Sequence, residues 1–486
     1  GMEGPAGTDA SAWNSGPLLV DPLAMTVRWL ALISGALLVM AVPSDAAPGN
    51  LSEYIAALLL ATAGAMLTAV AGDLVLLFLG LELVSIPTYL LLLVARRDAL
   101  GEEAGAKYFF LSLLASALFL YGLSFLYGIA GSTALADVRA ALVARADGAG
   151  LPQLAPLALV LLIAGLGFRL AVVPFHFYAP DVFEGSTHPN AGFLSIVPKI
   201  VGVVGVVRLV VAAMPGTETL AWQVTLTLAV LTMTLGNVVA LWQENVRRML
   251  AYSSIAHAGY ILIGLAVALG TAGGLETATG FNGVGAVLFY LCGYAFASIG
   301  TFAALAYLSQ GGHTTERVEH LAGLARRQPT MAVVIALAMF SLAGIPPLAG
   351  FAGKFTLLAS AVSIDSAGPN AAVVHNWFLA LVTIALVNAA IAAAYYLRVV
   401  KVIFFDPAPA IVATEKGKMP EPRERSGLIA AVVCAVLMVG LGLFPRPLLE
   451  QTRWAGESIQ MSPPAAAQSA PIQSASVPSS DVARRD

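Results

Sequence analysis

The sequence predicts an all-α, polytopic membrane protein with about 12 transmembrane helices. Of its 486 residues, 58% are hydrophobic and only 11% are charged, and the mean hydropathy is +0.84. A soluble domain carries about twice that charged fraction. Apolar runs of about 20 residues, the length that crosses a bilayer as a helix, recur along most of the chain. These observations favour a membrane domain over residues 18–446.

Hydropathy and length place the individual helices along the chain. The predicted spans are 18–43, 53–71, 73–95, 105–130, 155–179, 190–213, 220–243, 249–270, 281–309, 330–362, 373–405 and 426–446. Residues 1–17 form a small polar segment ahead of them. Residues 447–486, with an end rich in Ala, Pro and Ser, are predicted to be a disordered C-terminal tail.

The distribution of Lys and Arg between the short loops predicts the orientation in the membrane. The poorer side carries Arg139 and Arg145. The richer side carries Arg96, Arg97, Arg247, Arg248, Arg317, Arg326, Arg327, Lys416, Lys418, Arg423 and Arg425. We expect the richer side to face the cytoplasm, which puts both termini outside if the number of spans is even.

Two of the predicted spans are interrupted, and each has a cation beside the interruption. In GFRLAVVPFH, Arg169 precedes Pro174, and in SLAGIPPLAGFAGKF, Lys354 follows Pro346 and Pro347. Paired interrupted helices in two halves of a chain are typical of inverted-repeat transporters. Gly and Pro also occur in membrane helices as simple kinks, but a kink alone does not explain the cations.

Further ionisable side chains occupy other spans. Glu82 lies near the middle of one span, Lys107 at the start of the next, and Lys199 well inside a later one. A carboxylate at that depth must be protonated, paired or hydrated. Lys107 could instead be an interfacial lysine whose ammonium reaches the membrane surface. Chains of ionisable groups in separate spans are what proton relays require.

A histidine follows a similar pattern in AYSSIAHAGYILIGL. Ser254, His257 and Tyr260 are three residues apart, so they could line one face of a helix. Histidine titrates near neutral pH, although a structural histidine is nearly as consistent with this position.

Several classes of function are excluded by composition. The net charge of −3 gives no basic surface for nucleic acid. The two cysteines, Cys292 and Cys434, are too few for a disulfide framework, a zinc site or an iron–sulfur site. Any chemistry must therefore use ionisable side chains and water.

Five collinear motifs resemble the subunit N family of bacterial NADH-quinone oxidoreductase, or respiratory complex I: LGLELVSIPTYLLL, KYF, VVPFHFYAPDVFEG, NVRRMLAYSSIAHAGY and SLAGIPPLAGFAGKF. The resemblance implies a proton-translocating, antiporter-like domain with two inverted five-helix repeats, at about 53–213 and 220–405. It also implies that this chain binds no cofactor or metal. NADH, FMN, iron–sulfur clusters and quinone would be used by other subunits, and the neighbours would be M-like and K/J-like membrane subunits.

The same resemblance implies a role for each ionisable residue. Glu82 matches the mid-membrane glutamate of the family, and Lys107 matches the lysine of the next helix. Lys199 matches the lysine between two half-channels, and His257 matches a histidine on the route. Lys354 matches the lysine of the second broken helix. Arg169 stands where the family usually has a lysine. Because arginine does not deprotonate in proteins, we expect Arg169 to be a fixed charge that holds Glu82.

The resemblance leaves two alternatives open. The family usually has about fourteen spans, so we expect the first two to be missing from this sequence, either because the chain is naturally short or because the sequence lacks the true start. An Mrp-type cation/proton antiporter or a hydrogenase-linked membrane subunit would share the broken helices and the Glu/Lys pair. A structural subunit with an inactive channel is the other alternative, because of Arg169 and the shorter start.

Overall fold

The computed structural model describes residues 16–44, 47, 49–96, 98–146, 154–277, 282–310, 315–365, 371–407 and 424–460. Within these ranges the chain is almost entirely helical, which confirms the predicted all-α membrane fold. In this part of the chain, one two-residue strand pair accompanies the helices, with Glu276 opposite Asp365.

The helices and strands follow one another in this order: α1 Pro22–Ala41, α2 Leu51–Ala69, α3 Leu74–Ala95, α4 Ala99–Ala130, α5 Leu135–Ala146, α6 Leu154–Leu170, α7 Ala179–Gly185, α8 His188–Gly205, α9 Glu218–Ala240, α10 Val246–Ala272, β1 Glu276–Thr277, α11 Gly283–Leu308, α12 Leu324–Arg327, α13 Pro329–Ala343, α14 Ala349–Val362, β2 Ile364–Asp365, α15 Ala371–Phe405, α16 Ser426–Leu443 and α17 Arg446–Gln460. A π-helical segment, Val206–Val211, continues α8.

Among the described residues, ten helices are long and apolar enough to cross a membrane. They are α1 to α4, α8 with its π-helical segment, α9, α10, α11, α15 and α16. The predicted span 155–179 covers α6 and the interruption that precedes α7, and the predicted span 330–362 covers α13, α14 and the interruption between them. The count of twelve crossings and the two repeat boundaries stay predictions.

Three helices form the centre of the bundle. α8, α10 and α11 are buried along nearly their whole length, whereas α15 and α16 are buried over only a third of theirs. A helix that is apolar all round belongs in the interior. Polar side chains on these three helices therefore face other helices and not lipid.

The arginines predicted to share one side of the membrane do lie together. Arg96 and Arg247 both approach Glu316, at 3.8 and 3.0 Å, and Arg317 pairs with Glu244. We call this the arginine-rich end of the bundle. Its assignment to the cytoplasm stays a prediction. Arg97, Lys416, Lys418 and Arg423 lie outside the described residues.

The prediction of a disordered tail over 447–486 is wrong at its start, because α17 continues to Gln460. Thr452, Ala455 and Ile459 are buried and recur at helical spacing, so α17 packs one face on α1 and α11. Arg453 and Glu457 pair on the exposed face. Because charged residues alternate with these buried residues along the sequence, the buried face of α17 was not recognised as part of a helix. Residues 461–486, and residues 1–15 of the predicted N-terminal segment, lie outside the described ranges.

Gly442 allows α16 to touch the second interruption. A Cβ atom here would lie 1.9 Å from the carbonyl oxygen of Pro347, a backbone atom that cannot rotate away. We expect Gly442→Ala to destabilise the protein by about 1–3 kcal/mol, the usual cost of overpacking, seen as a lower Tm in detergent. Gly440→Ala is the matched control, because its Cβ would meet nothing within 4 Å. Equal Tm values for the two variants would contradict this packing.

Candidate functional site

The first interruption separates α6 from α7 at residues 171–178. Its Val173–Pro174 peptide bond is cis. The backbone N–H of Val173 donates to Thr232 Oγ1 at 3.1 Å, and Tyr178 OH donates to the carbonyl of Phe168 at 2.9 Å. Backbone groups freed at membrane depth must find such partners. The interruption is therefore a built junction that ends α6 just after Arg169.

The second interruption separates α13 from α14 at residues 344–348 and includes Pro346 and Pro347, joined by a cis peptide bond. Gly344 ends α13 with a φ of 88°, a left-handed conformation that favours glycine. Lys354 of α14 reaches back, and its Nζ donates to the carbonyls of Leu342 and Ala343 at 2.9 and 3.0 Å. A cation is stabilised at a helix C-terminus by the helix dipole.

Arg169 and Glu82 form a buried ion pair, as predicted for a paired mid-membrane carboxylate. Arg169 Nη2 lies 2.9 Å from Glu82 Oε1, with side chains 4% and 20% exposed. Arg169 also donates to Ser85 and Ser116, and Ser116 donates to Glu82 at 2.5 Å. The pair therefore joins α3, α4 and α6. A buried ion pair needs such additional hydrogen bonds to offset desolvation.

Lys199 is buried in the middle of α8, with 2% of its surface exposed. Its Nζ donates to Ser254 Oγ at 2.5 Å, and Tyr294 OH donates to the same oxygen at 2.9 Å. Among the described residues it forms no ion pair. A hydroxyl can accept from an ammonium or donate to a neutral amine. The contact therefore accommodates Lys199 with or without its proton.

His257, on α10, lies between Lys199 of α8 and Lys354 of α14. Its Nδ1 is 2.5 Å from Tyr290 OH, its Nε2 is 3.0 Å from Tyr396 OH, and its ring centroid is 4.7 Å from that of Tyr294. Each ring nitrogen thus has a hydroxyl partner that can donate or accept a proton.

The face of α10 that carries Ser254, His257 and Tyr260 connects Lys199 with Lys354. Ser254 contacts Lys199, and the ring of Tyr260 lies 4.9 Å from Lys354 Nζ, within the range of a cation–π contact. We call Lys199, Ser254, His257, Tyr260 and Lys354 the central axis. Its members were predicted from the sequence.

Lys107 lies away from the central axis and from Glu82. Its Nζ pairs with Glu103 and Asp181, both at 2.6 Å, and its side chain is 37% exposed. Arg248 extends this cluster by binding Asp181 and Glu184 at 2.7 and 2.8 Å. The cluster joins α4, α7 and α10 near the arginine-rich end.

Sequence reasoning missed the tyrosines and acids that complete the site. Tyr290, Tyr294 and Tyr396 are fully or almost fully buried and supply hydroxyls to the central axis. A buried tyrosine hydroxyl usually has a partner, so the tyrosines of LFYLCGYAF and AAYYLRVV were the available signal. Asp181 and Glu184 follow the first interruption directly, in the motif APDVFEG.

A family model described as NADH:quinone oxidoreductase/Mrp antiporter, transmembrane, matches residues 71–383. NADH-quinone oxidoreductase subunit N of Moorella thermoacetica is 37% identical over 445 residues, which cover 90% of this chain and 86% of that protein. Both interruptions and the whole central axis fall within the residues that the family model matches.

Solved structures show the same arrangement of helices. A chain of respiratory complex I from Thermus thermophilus with bound aureothin has a TM-score of 0.71 and 34% identity, covering 90% of this chain and 89% of that one. A chain of the Mrp complex from Dietzia sp. has a TM-score of 0.72 and 22% identity, covering 90% and 84%. At that identity the Mrp likeness concerns the fold alone.

Proposed function

Because the chain belongs to the subunit N family of NADH-quinone oxidoreductases, we propose that its central axis carries protons across the membrane within such a complex. The observation that carries the proposal is that one face of α10 contacts two buried lysines from other helices. Ser254 contacts Lys199, Tyr260 contacts Lys354, and His257 lies between these two positions on α10. Other subunits oxidise NADH and reduce quinone, and this one is a non-redox part of the translocase.

The proton path begins at the arginine-rich end. Lys107 with Asp181 and Glu103 forms a charged entrance in the first repeat. Lys199 takes up the proton, and Ser254 and Tyr294 offer it a route to His257. Lys354 then receives it and releases it towards the opposite side. Each transfer moves one proton between neighbouring side chains or the water between them.

Arg169 acts as a fixed charge in this scheme. Its hydrogen bonds to Glu82, Ser85 and Ser116 hold the guanidinium in one place, and arginine keeps its proton. When the Glu82 contact loosens, the unbalanced positive charge acts on the first repeat through a low-dielectric interior. The pair thus sets the field for the exchanging lysines without carrying a proton.

The surroundings of the subunit follow from the same family membership. We place it in the cell inner (plasma) membrane with the arginine-rich end in the cytoplasm and both termini outside. M-like and K/J-like membrane subunits are its neighbours. NADH, FMN, iron–sulfur clusters and quinone belong to other chains, and this one acts through ionisable side chains.

The Mrp-type antiporter is less well supported than the complex I subunit. The relative that covers most of this chain at 37% identity is a subunit N, whereas the Mrp chain shares 22% identity. Identification of copurifying subunits by mass spectrometry separates the two. Flavin and iron–sulfur proteins support the proposal, and a set of small antiporter subunits would contradict it.

Lys354 is the most direct test of the path. We expect Lys354→Ala to abolish proton pumping by this subunit while the complex still assembles, measured as protons moved per NADH oxidised in vesicles. Lys354→Arg keeps the charge and can still donate to the carbonyls of Leu342 and Ala343, but it cannot release a proton. The Lys354→Arg variant should therefore also fail to pump protons.

The control for Lys354 is Lys401→Ala, because Lys401 is also a lysine of the second repeat but its side chain is 69% exposed. This variant should pump normally. Normal pumping by the Lys354 variants, or recovery in Lys354→Arg alone, would remove proton release by Lys354 from the account.

Arg169 is tested by a pair of substitutions that separate its charge from its shape. Arg169→Lys retains a cation beside Glu82 and should retain pumping. Arg169→Gln removes the charge and should slow pumping at least about tenfold, the effect of about 1.4 kcal/mol on a barrier. Full pumping with glutamine would show that the fixed charge is unnecessary.

A further inference from the structure

α15 contributes to the site around His257 although most of its surface faces away from the bundle. Only about a third of its membrane-spanning part is buried, whereas α10 is buried along nearly its whole length. Tyr396 of α15 is nevertheless fully buried, and its hydroxyl contacts His257 Nε2 at 3.0 Å and Ser253 Oγ, both on α10. The hydroxyl reaches these atoms only when α15 has one particular rotation about its axis.

Apolar packing alone gives α15 little preference for that rotation. Most residues that α15 buries are apolar, such as Leu381, Ala385 and Val399. Lipid tails are as apolar as a leucine side chain, so burying one apolar face instead of another gains little in a membrane. A polar group turned towards lipid loses its hydrogen-bond partner, which is costly. Polar side chains that α15 directs into the bundle are therefore the groups that can fix its rotation.

Two buried asparagines join α15 to α9. Asn237 of α9 and Asn388 of α15 are 0% and 2% exposed. Asn237 Nδ2 donates to Asn388 Oδ1 at 3.2 Å, and Asn388 Nδ2 donates to Thr234 Oγ1 of α9 at 3.1 Å. Tyr395 OH, also from α15, donates to Asn237 Oδ1 at 3.1 Å. We call Thr234, Asn237, Asn388 and Tyr395 the amide network.

α9 is itself packed backbone to backbone on α10. A Cβ atom on Gly236 would lie 2.6 Å from the backbone nitrogen of Ala256, and one on Gly259 would lie 2.6 Å from that of Met233. Glycines at such positions allow two membrane helices to approach closely. A helix that is fastened to α9 is therefore also fixed in relation to His257 on α10.

The consecutive residues Tyr395 and Tyr396 contact two different helices. Neighbouring residues of an α-helix are about 100° apart around its axis. When Tyr395 is turned to α9 by its bond to Asn237, Tyr396 is directed to His257 on α10. Asn388 precedes Tyr395 by about two turns and so lies on the same face of α15. The amide network therefore determines the direction of Tyr396.

Other contacts keep α15 attached to the bundle. Arg398 Nη1 and Nη2 donate to the carbonyls of Leu241 and Gln243 at 2.9 and 2.5 Å. Tyr260 OH donates to the carbonyl of Ala385 at 3.0 Å. These donors lie at the ends of long side chains, which can follow a small turn of the helix, whereas a short asparagine side chain has fewer rotatable bonds. Loss of the amide network should therefore turn α15 without detaching it.

We propose that Asn237 and Asn388 are positioning residues that hold the Tyr396 hydroxyl on His257, an inference that rests on the proposed proton path through His257. The hydrogen bond at one ring nitrogen of a histidine governs the protonation of the other nitrogen. Tyr396 on Nε2 therefore controls whether Nδ1, which lies beside Tyr290, can donate or accept a proton. The two asparagines act on that transfer through the rotation of α15.

The first test measures NADH-driven proton pumping by the reconstituted complex. Asn388→Leu removes the amide link with little change in side-chain size and should slow pumping about fivefold, the effect of one hydrogen bond between membrane helices. The matched control is Asn376→Leu, because Asn376 is an exposed asparagine of the same helix. This control should pump like the unchanged complex. Equal slowing by the two substitutions would overturn the proposal.

A double-mutant cycle separates positioning from general stabilisation of the fold. Tyr396→Phe removes the hydroxyl that Asn388 is proposed to position, so adding Asn388→Leu to it should slow pumping no further. If Asn388 only stabilised the fold, its substitution would slow pumping about fivefold in this background as well. That multiplicative result would overturn the proposal.

A spectroscopic test follows the side chain at position 396 without relying on pumping. Tyr396→3-fluorotyrosine introduces one fluorine, whose NMR signal in the solubilised complex without NADH reports the surroundings of that ring. Asn388→Leu and Asn237→Leu should each move the signal, because each breaks the same link between α9 and α15. Asn376→Leu should leave it in place. A signal that stays at the same position in all three variants would overturn the proposal.

A further variant keeps the test decisive if a single unpaired buried amide prevents assembly. The double variant with Asn237→Leu and Asn388→Leu leaves neither amide without its partner, and it should also move the fluorine signal. An unmoved signal in the double variant would overturn the proposal. Failure of the proposed function gives a different pattern: if the signal moves but Tyr396→Phe pumps normally, the role of His257 in the path is refuted and the positioning by the asparagines is supported.

Discussion

The cost of placing a charge in a low-dielectric interior governs the arrangement of this membrane domain. An isolated charge there is so unfavourable that each one needs a partner on a neighbouring helix. Arg169 bonds to α3 and α4, and Lys199 bonds to α10. Lys354 reaches the last carbonyls of α13 across the second interruption. These contacts require α8 and α10 to lie inside the bundle, where the structure places them.

The buried cations discussed above fall into two chemical classes, which differ in their partners and in whether they can lose a proton. Arg169 pairs with the carboxylate of Glu82, and arginine does not give up its proton. In the described part of the chain, the two axis lysines contact hydroxyl or carbonyl groups and no carboxylate. In the proposed function, the fixed charge shapes the field and the lysines with neutral partners exchange the proton. The proposal therefore gives Arg169 an electrostatic role at a site where it does not exchange a proton.

Much of this architecture is predictable from the sequence because its physical signals are local. Long apolar runs indicate membrane helices, and Pro174, Pro346 and Pro347 mark the two interruptions. The spacing of Ser254, His257 and Tyr260 follows from helix geometry alone. Helix α17 escaped prediction because its buried stripe is short and is interleaved with charged residues.

Partners that are remote in the chain could not be predicted. Asp21 and Arg208 are 187 residues apart and meet only because α1 packs beside α8. Lys107 pairs with the nearby Glu103 but also with the remote Asp181, because α7 turns back onto α4 after the first interruption. Buried tyrosines such as Tyr396 carry no charge, and their role appears only when their hydroxyls are seen to reach His257.

The claim that Lys199 and Lys354 exchange protons while Arg169 does not is tested most directly by infrared difference spectroscopy during turnover. The complex would contain isotopically labelled lysine or arginine, and spectra would be compared before and after NADH addition. We expect lysine ammonium bands that change on turnover and disappear when Lys199 and Lys354 are both replaced by glutamine, with no loss of guanidinium protonation. Unchanged lysine bands in that double variant, or a guanidinium deprotonation signal abolished by Arg169→Lys, would contradict it.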